Sequence, residues 1–260
     1  MSDFNPTPPP IPPVLSAAAA LSASPTGSRP LGEDPQDCEP ISGPLAAIEA
    51  MLRHPRRILY HLRQTGPGGL ILALLSIAVT CGLVYGVVVG AFSGHTQYWA
   101  APVKIAGGLI LSALICLPSL YIFSCLSGSQ ARLVEVVGLI AGLLALMTVL
   151  LIGFAPVAWV FSQSTDSLPA MGALHLVFWF IATYFGLRFL CAGFAQLSGR
   201  SGGLRVWITI FLLVMIQMTT TLRPIVGTAD TLMPTEKKFF VKHWLEQLEK
   251  PAATRPPTPR

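Results

Sequence analysis

Strongly polar side chains are scarce in this chain, and a few of them fall within or at the edges of long apolar runs. Arg223 closes the run "QMTTTLRPIVG", with Gln217 and the threonines Thr219, Thr220 and Thr221 before it and Pro224 directly after it. Arg188 lies well inside "YFGLRFLCAGF", and Glu135 stands near the start of another apolar run. Lys104 begins one such run and Asp166 follows one. A charge in hydrocarbon is costly, so each needs a partner, a route to water or a function. The residue types allow three chemistries. They could line a polar path for a substrate. They could pair, Arg188 with Glu135 and Arg223 with Asp166, with Lys104 in the same layer as the second pair. The arginines could also snorkel to lipid phosphates, which suit a planar guanidinium. Pairing and snorkelling outweigh transport. Pro224 restricts Arg223 away from helical geometry, so "RP" ends its segment, and the threonines can satisfy the carbonyls freed there.

Catalytic and metal signatures are missing. HExxH, a P-loop and a nucleotide-binding glycine fingerprint are absent from the sequence. His54, His61, His95, His175 and His243 stand apart from one another. His54 and His61 suit a headgroup layer, and His175 reads as a lone interfacial histidine. Cys38, Cys81, Cys116, Cys125 and Cys191 show neither CxxC nor any metal-ligand spacing, so no disulfide framework is expected. No catalytic residues, metal or cofactor are expected, and an enzyme ranks last among the readings.

The elements that must position these groups are set by composition. Of the 260 residues, 52% are hydrophobic and only 11% charged, with mean hydropathy +0.63. Soluble domains carry about 25% charged residues. So few charges cannot coat a water-facing surface of this size. The chain is expected to be an all-α polytopic membrane protein: a bundle of five transmembrane helices, preceded by a basic amphipathic helix and followed by a short amphipathic one. The net charge of +5 then bears on orientation in a bilayer more than on nucleic acid, which is not an expected partner.

Residues 1–43 are rich in Pro, Ala and Ser and read as a disordered tail. Residues 44–65 place apolar positions at helical spacing around Pro55, with Arg53, Arg56, Arg57 and Arg63 on the polar side. A basic amphipathic segment before an apolar run suits anionic headgroups, and partner docking is the alternative. The membrane domain is expected over 66–233, with spans at about 69–92, 102–126, 134–161, 174–197 and 204–226. The third span is long enough to tilt, or to bend at Pro156. Residues 234–260 form the closing amphipathic helix and tail.

Loop charges set the orientation. Segments 93–102 and 162–173 hold no Lys or Arg, whereas 127–132 and 198–205 hold Arg132, Arg200 and Arg205. The positive-inside rule puts the N-terminus in the cytoplasm, and five spans put the C-terminus outside. Lys237, Lys238, Lys242 and Lys250 in the tail pull the other way, but several internal loops agree against them. Tyr98 and Trp99 suit an outer aromatic belt. Gly82, Gly86 and Gly90 share one face of the first span and permit close helix approach, as do Gly138 and Gly142 in the third. Packing within the chain is favoured, and a second copy of the chain is the alternative.

The layout resembles the Yip1-like membrane proteins, and in particular their bacterial branch. The likeness rests on "HPRRILYHL" before the first span, "CLPSLYIF" in the second, "FAPVAWVFS" in the third and "QMTTTLRPIVG" ahead of a Phe-containing tail. It covers about residues 45–248. It implies five spans, a cytoplasmic N-terminus and a bacterial inner membrane. Eukaryotic members engage prenylated Rab GTPases through an acidic, aromatic N-terminal motif. That motif is absent here, so the resemblance does not extend to Rab binding. The expected function is a non-enzymatic scaffold or membrane-organising protein with a partner at its N-terminal segment. The alternative is a small transporter or permease-like subunit with a polar path near the fifth span.

Overall fold

The computed structural model describes residues 31–64, 66–93, 97–126, 128, 131–164, 168–198 and 202–221. Among these residues there are seven α-helices and no strand: α1 Pro44–Arg53, α2 Pro55–Arg63, α3 Gly68–Ser93, α4 Gln97–Leu126, α5 Leu133–Ser164, α6 Leu168–Ser198 and α7 Gly202–Thr221. A short 3-10 turn, Pro35–Asp37, precedes them. In hydrocarbon every backbone polar group must find an internal partner, which a helix provides within one segment. Four helices, α3 to α6, are long and apolar enough to cross a membrane. Helix α7 is also apolar, over the shorter stretch Gly203–Gln217.

Helix α5 is the centre. Every residue from Gly138 to Thr148 is buried, so this helix has no lipid-facing side along those three turns. Helices α3 and α6 pack against it most extensively, α4 packs on α3, and α7 packs on α4. The lipid-facing side chains lie on the outer helices, such as Leu114 and Ile122 of α4, Phe180 and Tyr184 of α6, and Leu213 of α7.

Glycine sets the separations. Gly86 of α3 lies against the backbone of Pro102 in α4, and Gly82 faces Ala106 one turn along. These are two of the three glycines whose spacing predicted close approach, and the partner is the neighbouring helix of the same chain. Gly90 is also buried on that face. Gly138 and Gly142 of α5 receive Leu62 of α2 and Phe189 of α6. Gly186 and Gly193 of α6 receive Met147 and Leu139 of α5. A large side chain from one helix thus fills the gap above a glycine on the next, in both directions.

Three boundaries differ from the expectation. Helix α4 begins at Gln97, so Pro102 lies in its second turn, where few carbonyls precede it to lose a partner. Helix α5 runs through Pro156 to Ser164. Helix α6 starts at Leu168, about two turns earlier than expected, because Leu168 to Leu174 carries too little hydropathy to mark a span but nothing that stops a helix.

The N-terminal region differs most. The interfacial segment is two helices, broken as expected at Pro55, where His54 takes a non-helical conformation. Pro44 and Pro55 each stand at the first helical position, where their missing N–H costs nothing. Neither helix lies free in a headgroup layer. Ala47, Ala50 and Met51 of α1, and Ile58, Leu59 and Leu62 of α2, are buried in the same core as the spans. Residues 31–43, expected in the disordered tail, are placed against this pair as a strap, with Leu31 and Ile41 packed on the core. Strap, α1 and α2 form a plate across one end of the bundle.

Adding a Cβ at Gly86 would press on the Pro102 backbone, whereas at Gly107 it would meet nothing. Gly86→Ala should therefore lower the melting temperature in detergent, with overpacking costing about 1–3 kcal/mol. Gly107→Ala should leave it unchanged or raise it, since alanine is the better helix former.

Candidate functional site

Two groups of polar residues stand out among the described residues: the charged plate, and a pair buried nearer the far end of the bundle. On the plate, the four arginines expected to meet headgroups have partners supplied by the chain. Arg53 pairs with Glu49 at 3.4 Å, one turn back on α1. Arg56 reaches Asp37 of the strap at 3.5 Å, and that side chain is only 6% exposed. Arg57 pairs with Glu39 at 2.9 Å and also donates to the carbonyls of Glu39 and Pro40 at 2.9 and 2.8 Å. His61 lies 2.8 Å from the same Glu39 carbonyl, bonded through Nε2. Arg63 donates to the Gln196 carbonyl in the last turn of α6, where orphan carbonyls and the helix dipole favour a cation.

Glu135 is one of the expected ion-pair members, but its partner is Arg132. It sits at the third position of α5, where one carboxylate oxygen accepts the Arg132 backbone N–H at 3.0 Å. The other accepts from the Arg132 guanidinium at 3.1 and 3.3 Å. This is half of a capping box, reinforced by an ion pair. Arg132 also reaches the Arg63 carbonyl at 3.4 Å, which ties the end of α2 to the start of α5. Both Glu135 oxygens are therefore engaged by a residue three positions away. Arg188 is exposed on α6 and makes no ion pair among the described residues, the arrangement that snorkelling requires.

Of the layer expected around Arg223, only part can be placed. Arg223, Pro224 and Asp166 lie outside the described residues. Lys104 is buried at 4% exposure. Pro102 and Ala106 face α3, and helical geometry turns Lys104 by about 200° from Pro102, to the side of α4 away from α3. Gln217, near the end of α7, is exposed and does not point into the bundle, as a polar path would need.

The second group was not evident from the sequence. His175 is buried, and its Nδ1 lies 2.7 Å from the hydroxyl of Tyr85, which is fully buried on α3. The two rings meet edge to face, with Phe178 beside His175 and stacked on Phe154 of α5. His175 Nε2 is buried with no hydrogen-bond partner among the described residues. The pair joins α3 to α6 past α5, closing a three-helix contact with a directional bond. His175 reads as interfacial only if α6 starts at 174; the earlier start carries it two turns inward. A tyrosine in the midst of "GLVYGVVVG" was the available signal, since a buried phenol usually finds a partner.

A second buried bond ties α7 to α4. The Cys116 carbonyl of α4, two residues before Pro118, accepts from Ser119 Oγ at 2.8 Å and from Trp207 Nε1 at 2.9 Å. Trp207 is fully buried and stacked on Phe211. Among the described residues no three His, Cys, Asp or Glu side chains come together as a metal site.

No protein-family model matches the chain, and neither the curated proteins nor the solved structures contain a match to it.

Tyr85→Phe removes the buried bond and leaves both nitrogens of His175 without a partner. It should cost about 1–3 kcal/mol, read as a lower melting temperature in detergent. The double variant Tyr85→Phe, His175→Leu should cost less than the two single changes together, because it removes the orphaned imidazole as well.

Proposed function

We propose that the chain is a five-span, non-enzymatic protein of a bacterial inner membrane, of the Yip1-like type, and that it works by presenting its plate to a protein partner. The observation that carries this reading is the outward face of α1. Its inward face is locked in the core, yet Leu45 is 81% exposed and Leu52 51% exposed on the opposite side, two turns apart. Ile48 borders them, partly buried. An exposed apolar stripe on a helix that is already anchored suits an interaction site. Helix α1 rests on α3 and α5, so a partner bound there would be coupled to the membrane bundle.

Arg63 and Arg132 lie at the plate end, and the positive-inside rule makes that end cytoplasmic. The reading takes α7 as a fifth span, since its 20 residues, Gly202–Thr221, have the length that a crossing needs. The buried interior favours a scaffold over a permease: it is mostly apolar, Ser112 and Thr148 bond back to carbonyls of their own helices, and Tyr85 and His175 bond each other.

Two measurements test this. A reporter fused after residue 260 should be active only on the outer side; cytoplasmic activity would overturn the five-span topology. Deleting residues 44–65 would strip core side chains, so point changes are the better probe of the partner. Leu45→Ser with Leu52→Ser should abolish the crosslinked partner in native membranes while leaving the melting temperature unchanged. Undiminished crosslinking would count against the scaffold reading.

A further inference from the structure

Four of the chain's 12 carboxylates fall within the ten residues 31–40: Glu33, Asp34, Asp37 and Glu39. The strap that carries them lies beside α2, the most basic helix among the described residues. Two of the four sit on that helix's cations, Asp37 on Arg56 and Glu39 on Arg57. The geometry at Arg57 is specific. Its side chain is only 12% exposed, and three oxygens converge on its guanidinium: a carboxylate oxygen of Glu39 and the carbonyls of Glu39 and Pro40. His61, one turn on, shares the Glu39 carbonyl. A guanidinium fork recognises carboxylate and phosphate oxygens with the same planar geometry.

We infer that the Arg56–Arg57–His61 face of α2 is a binding site for a phosphate-bearing anion, and that the strap occupies it with Asp37 and Glu39 as a built-in substitute. The ligand class follows from the grouping of several oxygens on one guanidinium with a histidine alongside, which the oxygens of a phosphate can reproduce. The location agrees. Helix α2 ends five residues before the first helix long and apolar enough to cross a membrane begins, a spacing that suits the headgroup layer. The strap is also the part of the plate with the least structure of its own. Its regular element is a three-residue turn, and its hold on the plate comes from Leu31, Ile41 and the polar contacts to α2. The helices α1 and α2 instead bury six apolar side chains in the core and stay in place without it. An anion that takes Arg57 from Glu39 releases the strap and leaves the helix pair intact. The site therefore has two states, strap bound and anion bound, that compete for the same guanidinium groups.

The test is hydrogen exchange of the full chain in nanodiscs, comparing phosphatidylcholine alone, phosphatidylcholine with phosphatidylglycerol, and phosphatidylcholine with glycerol 3-phosphate in solution. Residues 31–43 should exchange about tenfold faster or more when the anion is present, while α1 and α2 keep their protection. Acceleration by phosphatidylglycerol alone identifies a lipid headgroup as the ligand. Acceleration by glycerol 3-phosphate as well identifies a soluble phosphate. Equal protection in all three preparations overturns the proposal.

An anionic bilayer could also repel the acidic strap without any site. Arg56→Gln with Arg57→Gln separates the two: the anion effect should vanish, and its persistence would overturn the site. Asp37→Asn with Glu39→Gln weakens the substitute and keeps the arginines. It should shift half-maximal release to a lower phosphatidylglycerol fraction, and an unchanged midpoint would overturn the competition.

Discussion

Between Gly138 and Thr148, α5 is enclosed on all sides, and the rest of the fold depends on how closely its neighbours can approach it. In a membrane, water does not drive helices together, since lipid tails are as apolar as leucine. Close packing must do it instead, and that requires small residues where backbones meet. Gly138 and Gly142 let Leu62 and Phe189 sit down onto α5, and Gly186 and Gly193 let Met147 and Leu139 sit down onto α6. The plate is held by the same device. Leu62 enters the gap above Gly138, and Leu59 reaches Gly193, so α2 is keyed to two spans at once. An interfacial helix that could peel away would not be built like this.

Directional polar bonds then fix what packing leaves free. Tyr85 and His175 bridge α3 to α6, and Trp207 bonds a carbonyl that stands beside Pro118. Glu135, Arg132 and Arg63 link the start of α5 to the end of α2, and Arg63 continues to the last turn of α6. Each of these bonds joins helix positions that apolar contact alone could let slide. At the plate the rule is neutralisation. Arginines that lie near a bilayer would bind any available anion, and in this protein the first anions available are its own carboxylates.

Much of the bundle was legible in the sequence. The apolar runs gave the helices to within a turn at most ends, because hydropathy reports the solvent directly. The glycine register in α3 named a packing face, and α4 fills it. The reading of Arg188 and Glu135 as partners rested on their shared end of the bundle. It did not weigh the local alternative, a capping box three residues long, which costs no chain closure. The plate shows a related point. Amphipathic spacing shows that α1 and α2 each bury one face, but it does not say whether lipid or protein covers it.

The sequence by itself determined the all-helical class, the approximate limits of the four apolar segments long enough to cross a membrane, and the break at Pro55, since hydropathy and proline stereochemistry act locally. Only the tertiary structure decided which ionisable groups meet. Asp37 and Arg56 are close in sequence but on different elements, and Tyr85 and His175 are separated by two helices. Whether an arginine faces a headgroup or a carboxylate of its own chain depends on where the strap folds back. That is a question of three-dimensional proximity, which no local pattern encodes.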